Sequence, residues 1–123
     1  MQYKEFGSTF ILKFEQHEEL IRELKKFCEE KNIKNASLTG IGAINSITLG
    51  FYDTSKQTYI EQSMHRPFEL SSLMGNISTE NTDSEPIIHL HATISDKDFR
   101  TYGGHVFRAI VSKTIEVVLT VIN

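Results

Sequence analysis

Apolar and polar positions change period several times along this chain. Phe10, Leu12 and Phe14 share one face of an extended segment, so residues 6–14 read as a first strand. The spacing then shifts to three and four. Leu20, Ile21, Leu24, Phe27 and Cys28 recur at helical intervals, and Glu18, Glu19, Arg22, Glu23, Lys25, Lys26 and Glu29 fill the positions between them. This pattern predicts an amphipathic helix over 17–31, with an acidic first turn and Lys31 at its end, as the helix dipole favours.

Beyond the link at 32–35 the period returns to two. Residues 36–41 read as a strand that Gly42 allows to bend or bulge, and 44–52 as another, with Ile47, Leu49 and Phe51 on one face. A turn at 53–56 joins it to 57–62, around Tyr59, as a hairpin. After Pro67 an extended pattern covers 68–78, with Gly75 a candidate bulge. Residues 79–85 carry no apolar side chain and read as a surface loop or flexible tip. A strand at 87–94, a turn at 95–98, a connection at 99–104 and two strands at 106–111 and 114–122 complete the chain. In the last of these Val118 and Ile122 make the second face apolar too, as in a strand between two layers or at a subunit interface. The predicted class is α+β: a mainly antiparallel, strongly curved sheet of about seven or eight strands with one principal helix. One helix covers only part of such a sheet, and association with further copies would cover the rest.

Composition narrows the function. The 123 residues suit a single domain with its own core, and Cys28, the one cysteine, faces the apolar side of the helix as packing. The start, Met1-Gln2-Tyr3-Lys4-Glu5, lacks the basic-then-apolar order of a leader, and no apolar run approaches the ~20 residues of a membrane helix, so a soluble cytoplasmic protein is expected. Thirteen basic against sixteen acidic residues give a net charge of −3, and no basic cluster exceeds the pair Lys25-Lys26. DNA as a partner therefore draws no support from charge.

The chemistry lies in the histidines. His17 opens the helix and His65 precedes Arg66-Pro67; both read as surface residues. His89 and His91 stand two apart within a strand, so both imidazoles point to one face. His105 follows Gly103-Gly104, where the backbone is free to turn tightly. Three imidazoles suit zinc or another divalent metal with one position open. The gap from His91 to His105 does not fix geometry, and strand histidines with local hydrogen bonds remain the ordinary alternative. Glu69, Glu116 and Asp96 are the carboxylates available to orient a ligand. Glu69, between Phe68 and Leu70, stands out as an orienting group or general base, with a salt bridge to Arg66 or Arg108 as the plainer reading. Gly40-x-Gly42 lacks the third glycine and the helix of a nucleotide fingerprint.

Together these motifs resemble the plant- and prokaryote-conserved (PPC) domain family. The resemblance is carried by 38–43 (Leu-Thr-Gly-Ile-Gly-Ala), the Tyr52-Asp53 hairpin with Tyr59, and the run from Arg66 to Ser78. It continues through Pro86-Ile87-Ile88-His89-Leu90-His91-Ala92, Gly103-Gly104-His105 and Thr114-Ile115-Glu116-Val117, and spans residues 6–122. It implies an α+β domain that assembles as a homotrimer. It also implies a partner-binding stretch at Arg66, Pro67, Phe68, Glu69 and Leu70, where Phe68 and Glu69 match the family's recruitment motif. Plant relatives bind DNA through separate Arg-Gly-Arg-Pro hooks, which this chain lacks. The fold is also similar to that of acetolactate decarboxylase, whose zinc is held by a His-x-His strand pair and a further histidine. His89, His91 and His105 match that set in order and type. The resemblance thus implies a three-histidine pocket for zinc or another divalent metal and a small-molecule ligand or partner protein. Glu69 and Arg108 are the candidates for second-shell or ligand-binding roles. DNA association and a metal-dependent reaction on a small oxyacid, with Glu69 moving a proton, are the alternatives; whether the chain is an enzyme stays open.

Overall fold

The computed structural model describes residues 1–80 and 85–122. It contains seven strands and one helix: β1 (Gln2–Phe6), β2 (Thr9–Glu15), α1 (Leu20–Glu30), β3 (Ala36–Asp53), β4 (Thr58–Met64), β5 (Phe68–Ser78), β6 (Ile87–Ser95) and β7 (Thr101–Val121). All paired strands run antiparallel, in the order β1-β2-β7-β6-β5-β3-β4, and β7 also pairs with β3. The pairings β3–β5–β6–β7 therefore close on themselves, and the sheet curls back around its core.

Two long strands make this closure possible. The first part of β3 lies between β5 and the last part of β7, and its second part lies between β4 and the first part of β7. Register shifts at Gly40/Gly42, Gly42/Ile44, Ile44/Ser46 and Thr48/Leu49 mark where β3 bends. The two strands expected at 36–41 and 44–52 are thus one bent strand. Likewise, most of the connection expected at 99–104 and the strands expected at 106–111 and 114–122 merge into the single β7, which starts at Thr101 and ends at Val121. The loop expected at 79–85 falls mainly on 81–84, outside the described residues.

Alternation sorts the sheet into two faces. Phe10, Leu12 and Phe14 of β2, Leu90, Ala92 and Ile94 of β6, and Ile115, Val117 and Leu119 of β7 are buried. The helix lays Leu20, Leu24, Phe27 and Cys28 onto this inner face. Burial pushes the Cys28 thiol up to about 11, so it stays protonated and acts as packing. Tyr3 joins Phe10 and Phe27 in an edge-to-face cluster, with centroids 5.2–6.0 Å apart.

The helix begins later than its periodicity suggests. Glu19 is extended, and its carboxylate accepts the N–H groups of Ile21 (2.9 Å), Arg22 (3.1 Å) and, from β7, Ala109 (3.1 Å). Residues 17–19 serve this cap, with His17 at φ 75, rather than the helix. A second departure is β1, which forms a hairpin with β2 through Gly7 at φ 62. Every β1 residue is exposed, so no buried stripe announces it in the sequence.

Candidate metal centre

Register brings the three histidines together. His91 of β6 is directly opposite His105 of β7, and His89 lies two residues from His91 on the same face. The ring centroids are 5.2 Å (His89–His91), 5.4 Å (His89–His105) and 5.6 Å (His91–His105) apart. One ring nitrogen from each lies within 4.8 Å of the others. Around a tetrahedral zinc such nitrogens stand roughly 3.4 Å apart, given Zn–N bonds near 2.05 Å, so modest ring rotations would close the set.

The glycine pair contributes differently from the sequence expectation. Gly103 and Gly104 lie within β7, paired with Thr93 and Ala92, and make no turn. Their value is close approach: a Cβ on Gly104 would stand 2.8 Å from the Gly50 carbonyl oxygen, and one on Gly103 3.1 Å from that of Ala92. β3, β7 and β6 can then run side by side, with His105 next to His91.

The three imidazoles sit in unequal surroundings. His89 and His91 are exposed, whereas His105 is half-buried. Burial first, and then the neighbouring His89 and His91, push His105 below the ordinary imidazole value, which favours the neutral form a metal needs. Tyr59 lies 4.9 Å and Phe107 4.6 Å from the His105 ring. Met74 and Asn76 of β5 are the cross-strand partners of His91 and His89, and they rim the site on the other side. Nothing local in the sequence marks Phe107, Met74, Asn76 or Gly50 as part of the site; they come from β7, β5 and β3.

The expected carboxylates are elsewhere. Glu69 lies five residues before Met74 on β5, ~16 Å along a strand. It lines a separate depression with Ile41, Ala43, Ser71 and Lys113. Glu116 is on the outer face of β7 between Lys13 and Ile41. Arg108 is exposed, opposite Thr48 and three residues beyond His105. His65 Nδ1 is hydrogen-bonded to Ser46 Oγ at 2.8 Å, and His17 is exposed at the helix entry.

Of the stretch 66–70, Phe68 and Leu70 are core residues, while Arg66, Pro67 and Glu69 are exposed. Arg66 lies over Phe68 (4.4 Å) and pairs with Asp96 at 3.3 Å. Asp96 also accepts the N–H groups of Asp98 (2.9 Å) and Arg100 (3.0 Å). Burial would raise its carboxyl, but these backbone bonds and Arg66 outweigh that and hold it below the ordinary 3.8. A lowered folded value means stability that is present above the unfolded value and lost as pH falls through the folded one. Asp96→Ala is therefore expected to lower Tm at neutral pH, with the gap to native narrowing in acid. Thermal melts across a pH series check this; a gap independent of pH would contradict it.

A family model for the Plants and Prokaryotes Conserved (PCC) domain matches residues 1–123. The chain belongs to this family. Among solved structures, a Bacteroides thetaiotaomicron protein provisionally named as DNA-binding is similar at 34% identity. The match covers 98% of this chain and 82% of that one, with a TM-score of 0.93. A metal-containing protein from Archaeoglobus fulgidus is 36% identical over 98% of this chain and 85% of its own, with a TM-score of 0.85. The acetolactate decarboxylase of Bacillus subtilis shares the fold at 12% identity and a TM-score of 0.64; the match covers 92% of this PCC chain and 52% of the decarboxylase. No curated protein gives a significant match. Among the described residues no helix is long and apolar enough to cross a membrane.

Proposed function

We propose that this PCC domain is a cytoplasmic homotrimer that binds a divalent metal, zinc foremost, through His89, His91 and His105. The single observation carrying this reading is the convergence of three imidazole nitrogens to within 4.8 Å on one face of the sheet. The metal-containing relative at 36% identity supports it. Three imidazole ligands would leave a fourth position open, and a metal held there would polarise an oxygen of whatever ligand enters. Met74, Asn76 and Tyr59 would border that ligand, with Arg108 further along the same strand as His105. Glu69, ~16 Å away along β5, would reach such a site only from a neighbouring chain.

Trimer formation is supported by apolar side chains left exposed on the outer face: Ile11, Ile41, Met74 and Val118 border one depression of about 500 Å³. A partner protein would meet Arg66, Pro67 and Glu69, because Phe68 and Leu70 are enclosed. The test of the metal reading is elemental analysis of purified protein together with its mass in solution. One zinc or similar ion per chain is expected; protein that neither carries nor takes up a divalent metal would overturn it.

DNA association is a second reading, favoured by the provisional name of the Bacteroides relative. With a net charge of −3, such binding would need a local basic surface. Binding isotherms on AT-rich duplex over a salt series decide it: affinity falling steeply with salt supports electrostatic recognition, and absent binding sinks it.

A further inference from the structure

His105 is held in a way its two companions are not. Its Nδ1 is shut off from solvent and has no hydrogen-bond partner among the described residues. A metal-bound imidazole is ordinarily oriented by donating its second nitrogen to a carboxylate or carbonyl. In place of such an acceptor, two aromatic rings flank His105: Tyr59 at 4.9 Å and Phe107 at 4.6 Å, themselves 5.0 Å apart and nearly perpendicular. Tyr52 continues the row, 5.1 Å from Tyr59. His105, Tyr59 and Phe107 form a closed triangle contributed by β4 and β7.

Gly50 makes room for it. Gly50 lies directly opposite His105 across the β3–β7 pair. A Cβ at that position would collide with Cε2 of Phe107 and stand 3.0 Å from Cδ1 of Tyr59. The bulge between Thr48 and Leu49, where Val106 and Arg108 take successive partners, leaves Phe107 as the extra residue turned into this space. Glycine, bulge and two rings thus come together around one imidazole.

We infer that Tyr59 and Phe107, seated over Gly50, are positioning residues for His105. They substitute packing for the usual hydrogen bond, and they hold the imidazole against His89 and His91. The inference rests on the metal reading above and concerns how the site is tuned.

Cobalt(II) titration, followed through its visible ligand-field band, tests it on native protein and on Tyr59→Phe, Tyr59→Leu and Gly50→Ala. Tyr59→Phe keeps the ring and is expected to bind as native does. Tyr59→Leu and Gly50→Ala are expected to weaken cobalt affinity by about tenfold or more, the range for loss of an outer orienting group, and to shift the band. Tyr59 is partly exposed, so Tyr59→Leu decides the matter even where Gly50→Ala fails to fold. Native affinity and an unchanged band in both variants would overturn the positioning role alone. Failure of native protein to bind cobalt would overturn the metal reading and this inference with it.

Discussion

Replacing His91 by alanine is expected to leave a folded protein that no longer retains its metal. His91 is exposed, so the substitution removes no core packing. It is also the imidazole directly opposite His105, which makes it the link between β6 and β7 within the trio. Loss of an outer partner of a metal ligand costs roughly 10–100-fold in affinity. Loss of a ligand itself should exceed the top of that range, since two imidazoles and solvent are all that remain. Equilibrium dialysis against buffered zinc, with circular dichroism as the check on folding, reads the result. His91→Ala that holds zinc as tightly as native protein would mean the trio is not the site. His17→Ala, far from the trio at the helix entry, serves as the control and should retain the metal.

The second large effect is expected at Gly75. It lies opposite Leu90 on the β5–β6 pair, between the positions facing His89 and His91. A Cβ there would fall on the carbonyl oxygen of His89 and within 2.7 Å of Cδ2 of Leu90. Backbone cannot yield as a side-chain tip does, so Gly75→Ala must displace β6 or break its ladder with β5. A cost of about 3 kcal/mol is expected, the upper part of the range for overpacking, with metal lost in parallel because both strand histidines move. Gly103→Ala makes the comparison: its nearest contact would be 3.1 Å, and a smaller drop in Tm is expected. Equal melting of Gly75→Ala and native protein would contradict this account.

The two clearest patterns in the sequence correspond to real elements: the three-and-four spacing to α1 and the β-branched run after Thr114 to the end of β7. Strand histidines two apart also had to share a face, because side-chain direction along a strand is local. What the sequence concealed is non-local or irregular. Bulges interrupt the period of two, so β3 and β7 each read as separate pieces. The hairpin strand β1 has no buried face to show. Glu69 stood out because a carboxylate between Phe68 and Leu70 looks costly, but alternation turns it outward while its neighbours turn in. Phe107 is far along the chain from the hairpin that holds Gly50 and Tyr59, and only the β3–β7 register, with its bulge, joins them.

The position of β7 has a consequence for synthesis. It is the last of the described strands in chain order, yet it pairs with β2, β3 and β6, with partners as distant as Thr9 and Thr120. A growing chain can form the β3–β4 hairpin and dock β5 on β3 as they emerge, but its central seam is missing until the final strand leaves the ribosome. Closure of the sheet, and assembly of His105 with His89 and His91, must therefore wait until β7 has been made. A topology so dominated by distant pairings is a slow folder, with unpaired strand edges exposed in the meantime.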